Sequence, residues 1–208
     1  MELTQNEIRV LGTLCEKQRT VPDTYPLSLN ALLAGCNQKT SRQPVLELSE
    51  SDVAAALDRL KELRLVSEVS GSRVARYAHQ FEKTVAVSGP AAALLTVLML
   101  RGPQTAGELR LNCERLYSFA DISSVEAFLE ELAAREPALV RELPRAPGAR
   151  ENRWAQLLGV EDFSDFSPLT VKNLAEAGEL AVLQARVTAL EQTVGELQAA
   201  LDELRARH

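Results

Sequence analysis

The sequence predicts a mainly α protein with small β-hairpins, arranged as tandem winged helix-turn-helix domains followed by a C-terminal coiled-coil helix. Three observations carry this. Helix-start signals recur in the order helix, helix, helix, hairpin. That order is used twice, with equivalent starts about 74 to 86 residues apart. Beyond residue 180 the apolar residues fall into an unbroken heptad pattern. The composition agrees: 208 residues, 46% hydrophobic and 25% charged, can bury a core, which excludes collagen-like, mucin-like and wholly disordered chains.

The first unit spans residues 1–84. Thr4 and Glu7 form a capping box ahead of Ile8, Leu11 and Cys15, predicting a helix over about 4–18. Pro22 and Pro26 break the chain, and Ser28 then caps a short helix through Leu32 to about Cys36. Ser49 to Asp52 opens a third helix with Val53, Leu57, Leu60 and Leu63 on one stripe. Leu65–Val69 and Arg73–Phe81, either side of Ser70-Gly71-Ser72, read as a hairpin.

The second unit, 85–160, repeats this. Pro90 starts a helix that stops at Gly102-Pro103, Thr105 caps a short one, and Ser123 to Glu126 caps a third whose stripe is Val125, Phe128, Leu129 and Leu132. Leu139–Leu143 and Asn152–Leu157 flank a Pro/Gly turn. The units differ between their second and third helices. There the first carries an amide-rich insertion without acids, Asn37 to Val45, where the second has a short loop around Tyr117, Phe119 and Asp121.

Residues 161–173 read as an acidic linker and 174–208 as the coiled-coil helix. Leu180, Val187, Val194 and Leu201 occupy a positions, and Leu183, Leu190, Leu197 and Leu204 occupy d. Valine at two a sites with leucine at every d favours a parallel dimer, and Arg186 at g would face Glu191 at e of the partner chain. The other reading is one amphipathic helix packed on its own body. The narrow stripe favours pairing, so a homodimer is expected.

Little points to an enzyme. The chain has no glycine-rich phosphate loop, no HExxH and no nucleophile elbow, and its only histidines are His79 and His208. Cys15, Cys36 and Cys113 lie at no metal-ligand spacing and read as reduced core residues. No catalytic residue, cofactor or metal is expected. The acidic start and the absence of a long apolar run predict a cytoplasmic protein without a membrane span.

The formal charge of −6 argues against nucleic acid until it is mapped. Residues 1–84 hold 11 basic and 11 acidic side chains, 85–160 hold 8 and 9, and 161–208 hold 4 and 9, so the acidity sits in the tail. Both third helices nevertheless carry acids where a groove reader carries bases: Glu50, Asp52, Asp58 and Glu62 in the first, and Glu126, Glu130, Glu131 and Glu136 in the second. The candidate DNA contacts lie elsewhere, in Asn37, Gln38, Lys39 and Arg42 of the insertion and Arg73 and Arg76 of the wing. The competing reading of the insertion is a solvated loop whose amides tie down their own backbone. Arg141, Arg145, Arg150 and Arg153 with Trp154 make the second wing a further candidate for a phosphate track or a protein partner.

Pro26 to Leu32, followed by Cys36 to Val45, closely resembles the motif of the bacterial YceH-like (DUF480) family, and so does Leu100 to Arg110. The similarity runs over about residues 2–158; family members typically read Lys-Ser-Asn-Arg where this chain has Lys39-Thr40-Ser41-Arg42. The resemblance implies a tandem winged-helix fold and no established activity. Two functions are therefore expected in this order: a double-stranded DNA binder or regulator dimerised by its C-terminal helix, or a protein-interaction scaffold resembling the tandem winged-helix subunits of chromosome-condensing complexes.

Overall fold

In a computed structural model, residues 2–69, 74–145 and 151–159 are described. Arg73, Arg150, the expected linker (161–173) and the expected coiled-coil helix (174–208, with its a and d residues) lie outside the described residues.

Local chemistry sets each helix end. Helix α1 (Gln5–Thr20) starts at a complete capping box, in which Thr4 Oγ1 accepts from Glu7 N at 3.3 Å and Glu7 Oε2 accepts from Thr4 N at 2.8 Å. A two-residue strand, β1 (Leu27–Ser28), leads into α2 (Leu29–Cys36), capped by Ser28 as its sequence predicts. Helix α3 (Glu50–Glu62) has a second box, Ser49 with Asp52. Strands β2 (Val66–Val69) and β3 (Arg76–His79) pair antiparallel, and β1 adds to the far edge of β3, giving the order β1-β3-β2.

A short helix, α4 (Phe81–Val85), connects to α5 (Gly89–Arg101), which ends on Gly102 at φ 72, a backbone angle that glycine adopts without strain. Then come α6 (Ala106–Cys113), capped by Thr105 with Glu108, α7 (Ile122–Ala133), and the antiparallel pair β4 (Val140–Leu143) and β5 (Arg153–Gln156). The described residues are thus mainly helical with small antiparallel sheets, and the order helix, helix, helix, hairpin occurs twice.

Three details differ from expectation. Helix α7 starts at Ile122 because Asp121 is its cap, accepting from Ser124 N at 2.7 Å, not Ser123. Phe81, expected in the first hairpin, opens α4 with its ring fully buried. Neither β1 nor its counterpart was anticipated: Leu27 faces Tyr77 across the first sheet, and Gln104 makes an isolated bridge to Trp154 in the second half. Both members of the second pair stand 77 positions after the first. The paired segment before each second helix is at most two residues long, so its partner is set by the fold rather than by a local pattern.

The two halves share one core. Helix α5 is buried from Ala91 to Leu100, apolar on every side, because it lies inside the unit rather than on its surface. It packs against α1, and the chain start joins the second hairpin where Leu3 N donates to Leu158 O at 2.9 Å. Cys15, Cys36 and Cys113 are all buried free thiols, and burial pushes the Cys113 thiol up to about 12.

Candidate interaction surfaces

The insertion after α2 is a folded plug anchored from inside. Asn37 pairs with the backbone of Leu48 in both directions at 2.8 Å, closing the loop at its base. Arg42, 5% exposed, turns inward. Its guanidinium meets Glu16 of α1 two-pronged, Nη1 to Oε1 at 3.1 Å and Nη2 to Oε2 at 2.6 Å, while Nε and Nη2 donate to Gly35 O at 3.1 and 2.9 Å. Gln38 Oε1 accepts from Arg42 Nη2 at 3.0 Å and from Lys17 Nζ at 2.9 Å.

Beneath it Arg9, 2% exposed, donates to Cys36 O at 3.1 Å and to Pro44 O; its Nε has no partner. The two guanidiniums therefore sit on the last carbonyls of α2, where the helix dipole is negative and its carbonyls have no partner within the helix. Burial, with the Arg42 charge adding, brings the Arg9 guanidinium down from 12.5 to about 10. Burial pushes the Glu16 carboxyl up, but the Arg42 hydrogen bonds and charge outweigh this and hold it below the usual carboxylate range. The loop is also tied to the second half: Gln43 N donates to Leu100 O and Arg101 Nη2 to Ser41 Oγ, both at 2.7 Å.

Of the insertion's candidate contacts, Lys39 is exposed, whereas Asn37 and Gln38 are half-buried with their side chains engaged internally. Arg42 is withdrawn from any surface role, because its charge is already matched by Glu16 and by backbone carbonyls. Arg76 is exposed and bridges β3 to the chain before β1 by donating from Nη1 to Pro26 O at 2.7 Å. The structure does not bring Lys39 and Arg76 into one hydrogen-bonded set. Sequence reasoning missed Arg9, Glu16, Lys17 and Arg101 as partners of the insertion; only Glu16-Lys17, next to each other on α1, offered a signal.

The wings and third helices complete the surface. On α3 the exposed charges pair along the helix, Arg59 with Glu62 and Lys61 with Asp58, each at 2.8 Å. On α7, Glu126, Glu130 and Glu131 are exposed. Arg135, which follows α7, donates instead to Val85 O and Ala86 O at 2.9 Å, closing the end of α4. In the second wing Arg153 makes a two-pronged ion pair with Glu108 at 2.8 Å, and Trp154 packs partly buried against the core.

His79 lies inside the first wing. Its Nδ1 accepts from Phe81 N at 3.3 Å, so the ring proton is on Nε2, which donates to Gln18 Oε1 at 2.7 Å. Burial, with the Arg19 charge adding and Glu82 opposing, lowers its pKa below the ordinary 6.5. A depressed folded value means the folded state binds fewer protons, so its contribution is whole above pH 6.5 and declines as pH falls through the folded value. Denaturant midpoints between pH 7 and 5 should therefore fall, and His79→Gln, which does not titrate, should remove that part of the slope; an unaltered slope in the variant would assign it to other groups. A water-sized cavity beside His79, lined also by Cys15, Thr96 and Leu116, is too small for an organic substrate. Among the described residues, no three His, Cys, Asp or Glu side chains stand together as a metal set, and no helix is long and apolar enough to cross a membrane.

Fold and surface together define a class: a mainly α chain built on a twice-used helix and hairpin unit, interlocked by a plug with buried arginines. The chain belongs to the family described as "Protein of unknown function, DUF480", whose model matches residues 3–149. It is 64% identical to a UPF0502 protein of Dechloromonas aromatica over 97% of this chain and 95% of the relative. It is 60% identical to one of Methylibium petroleiphilum over 90% and 82%, and 56% identical to one of Burkholderia pseudomallei over 97% and 87%.

Proposed function

We propose that the chain is a non-enzymatic scaffold of two winged-helix units that binds other proteins and pairs with a second copy of itself through residues 174–208. The winged-helix reading is supported by the residues ahead of the second helix, which pair with the hairpin in both halves, through strand β1 in the first and the single bridge from Gln104 to Trp154 in the second. The observation that carries the scaffold reading is the fate of the basic residues. Arg42 and Arg135 are engaged with internal carbonyls and Arg42 also with Glu16, while α7 presents Glu126, Glu130 and Glu131 outward. A face of that sign repels a phosphate backbone.

DNA binding is retained as the second reading because Lys39 and Arg76 are exposed. One experiment separates the two. Full-length chain isolated from a nuclease-treated bacterial lysate should sediment as a dimer and keep a protein partner. A partner lost to nuclease would favour DNA, in which case Lys39→Ala should flatten the salt dependence of binding; a monomer at tens of micromolar would remove the pairing role.

A further inference from the structure

The duplicated unit supplies its own control for what its surface needs. With the second half aligned 77 positions after the first, as the paired strands set it, Leu109 falls on Leu32 and Cys113 on Cys36, and all four are fully buried. On the outer side of the same helix, Leu111 falls on Ala34; it is 72% exposed. At the first position of the third helix, α7 has Ile122, 45% exposed, where α3 has Glu50. The fold is therefore satisfied by alanine and glutamate at these places, and the second half carries two large apolar side chains there in contact with water.

The two residues belong to one face. The Cδ1 atom of Ile122 lies 3.8 Å from the Cβ position of Gly107, and Leu111 is one helical turn beyond Gly107. Acids flank them. Glu126 is one turn beyond Ile122 on α7, Glu151 Oε2 reaches within 4.0 Å of the same Gly107 Cβ position, and Glu114 and Asp121 are exposed at the ends of α6 and α7. Among the described residues Arg115, next to Glu114, is an exposed base, and the guanidinium of Arg110 is turned to the carbonyls of Phe119 and Ala120.

We infer that this apolar and acidic face, centred on Leu111 and Ile122, docks a basic amphipathic helix of another protein. This deepens the scaffold reading and rests on it. Two apolar anchors in a helical surface fit residues one turn apart on a partner helix, and the surrounding carboxylates select lysine or arginine at its flanks. A second copy of the same face is the poorer occupant, because self-complementary pairing would bring the same carboxylate-rich rim onto itself with few bases to match it.

The test uses the full chain and a labelled amphipathic peptide of roughly 18 leucine and lysine residues, about five helical turns, with a leucine and glutamate peptide of the same pattern as control. The lysine peptide should bind and the glutamate peptide should not. Leu111→Ala with Ile122→Glu installs the first half's own residues, so folding is retained, as an unchanged helical spectrum and melting temperature would verify. It also adds an acid, so binding driven by charge alone would strengthen. The inference expects binding at least about tenfold weaker in this variant, as for loss of central anchors, and weaker binding also in Glu126→Lys. Comparable binding of both peptides, or a smaller loss in the double variant, overturns it. Nuclease-resistant capture of a partner that survives the double variant would remove this face while leaving the scaffold reading in place.

Discussion

Arg42→Ala should destabilise the folded chain by about 3 to 5 kcal/mol, whereas Lys39→Ala, three residues away in the same loop, should change stability by less than about 0.5 kcal/mol. The difference follows from burial. Removing the Arg42 guanidinium leaves the Glu16 carboxylate without its two-pronged partner and Gly35 O without its donors in a place water reaches poorly. It also relieves the repulsion between the Arg42 and Arg9 charges, a gain that offsets only part of the loss. Arg42→Lys should recover only part of the loss, since an ammonium cannot make both contacts to Glu16 while reaching the Gly35 carbonyl. Denaturant midpoints of the three variants decide this. An Arg42→Ala loss below about 1 kcal/mol would mean that the plug is not anchored as the contacts indicate.

The same pair sets an acid limit. Glu16 titrates below the ordinary carboxylate value in the folded state, so its contribution is whole above about pH 4.5 and is lost as pH falls through the folded value. The Arg42→Ala variant should lose that segment of the acid profile along with the neutral stability.

Gly12→Leu should lower the melting temperature of the whole protein by about 5 °C, and the native chain should melt in one transition. Helices α1 and α5 approach closely at Gly12, where an added Cβ alone would come 3.0 Å from Leu100 Cδ2 and 3.2 Å from Met99 Cβ. Leucine extends three carbons further into that contact, and although it is the better helix former, by about 0.8 kcal/mol, the overpacking of about 1 to 3 kcal/mol wins. Because α1 and α5 pack against each other within the one shared core, damage at their contact should destabilise the helices and hairpins on both sides of it. Calorimetry with two resolved transitions in the native chain, only one of them moved by Gly12→Leu, would show separate cores instead.

The helix starts were readable because capping is local chemistry over four residues: Thr4, Ser28, Ser49 and Thr105 all cap where their spacing predicts. Asp121 was missed because two neighbouring serines offered an equally good local pattern, and only the path of the loop from Phe119 puts the aspartate at the cap. The apolar run of α5 was legible as a helix but not as the buried centre of both halves. Its residues are apolar on every side and point to no single neighbour.

The candidate contacts in the insertion show the limit most clearly. Sequence by itself established a mainly helical chain with small hairpins, the approximate positions of its helices and the presence of an amide- and base-bearing loop, since periodicity and capping act within a few residues. Whether that loop faces outward or inward depends on Arg9, Glu16 and Leu100, which reach it from α1 and α5 across distances in the chain that no local pattern spans. Only the tertiary structure brings the Glu16 carboxylate and the helix-end carbonyl of Gly35 to Arg42, and with them decides that its charge is part of the core. It likewise leaves Leu111 and Ile122 in water, a property of side chains that composition and spacing cannot distinguish from burial.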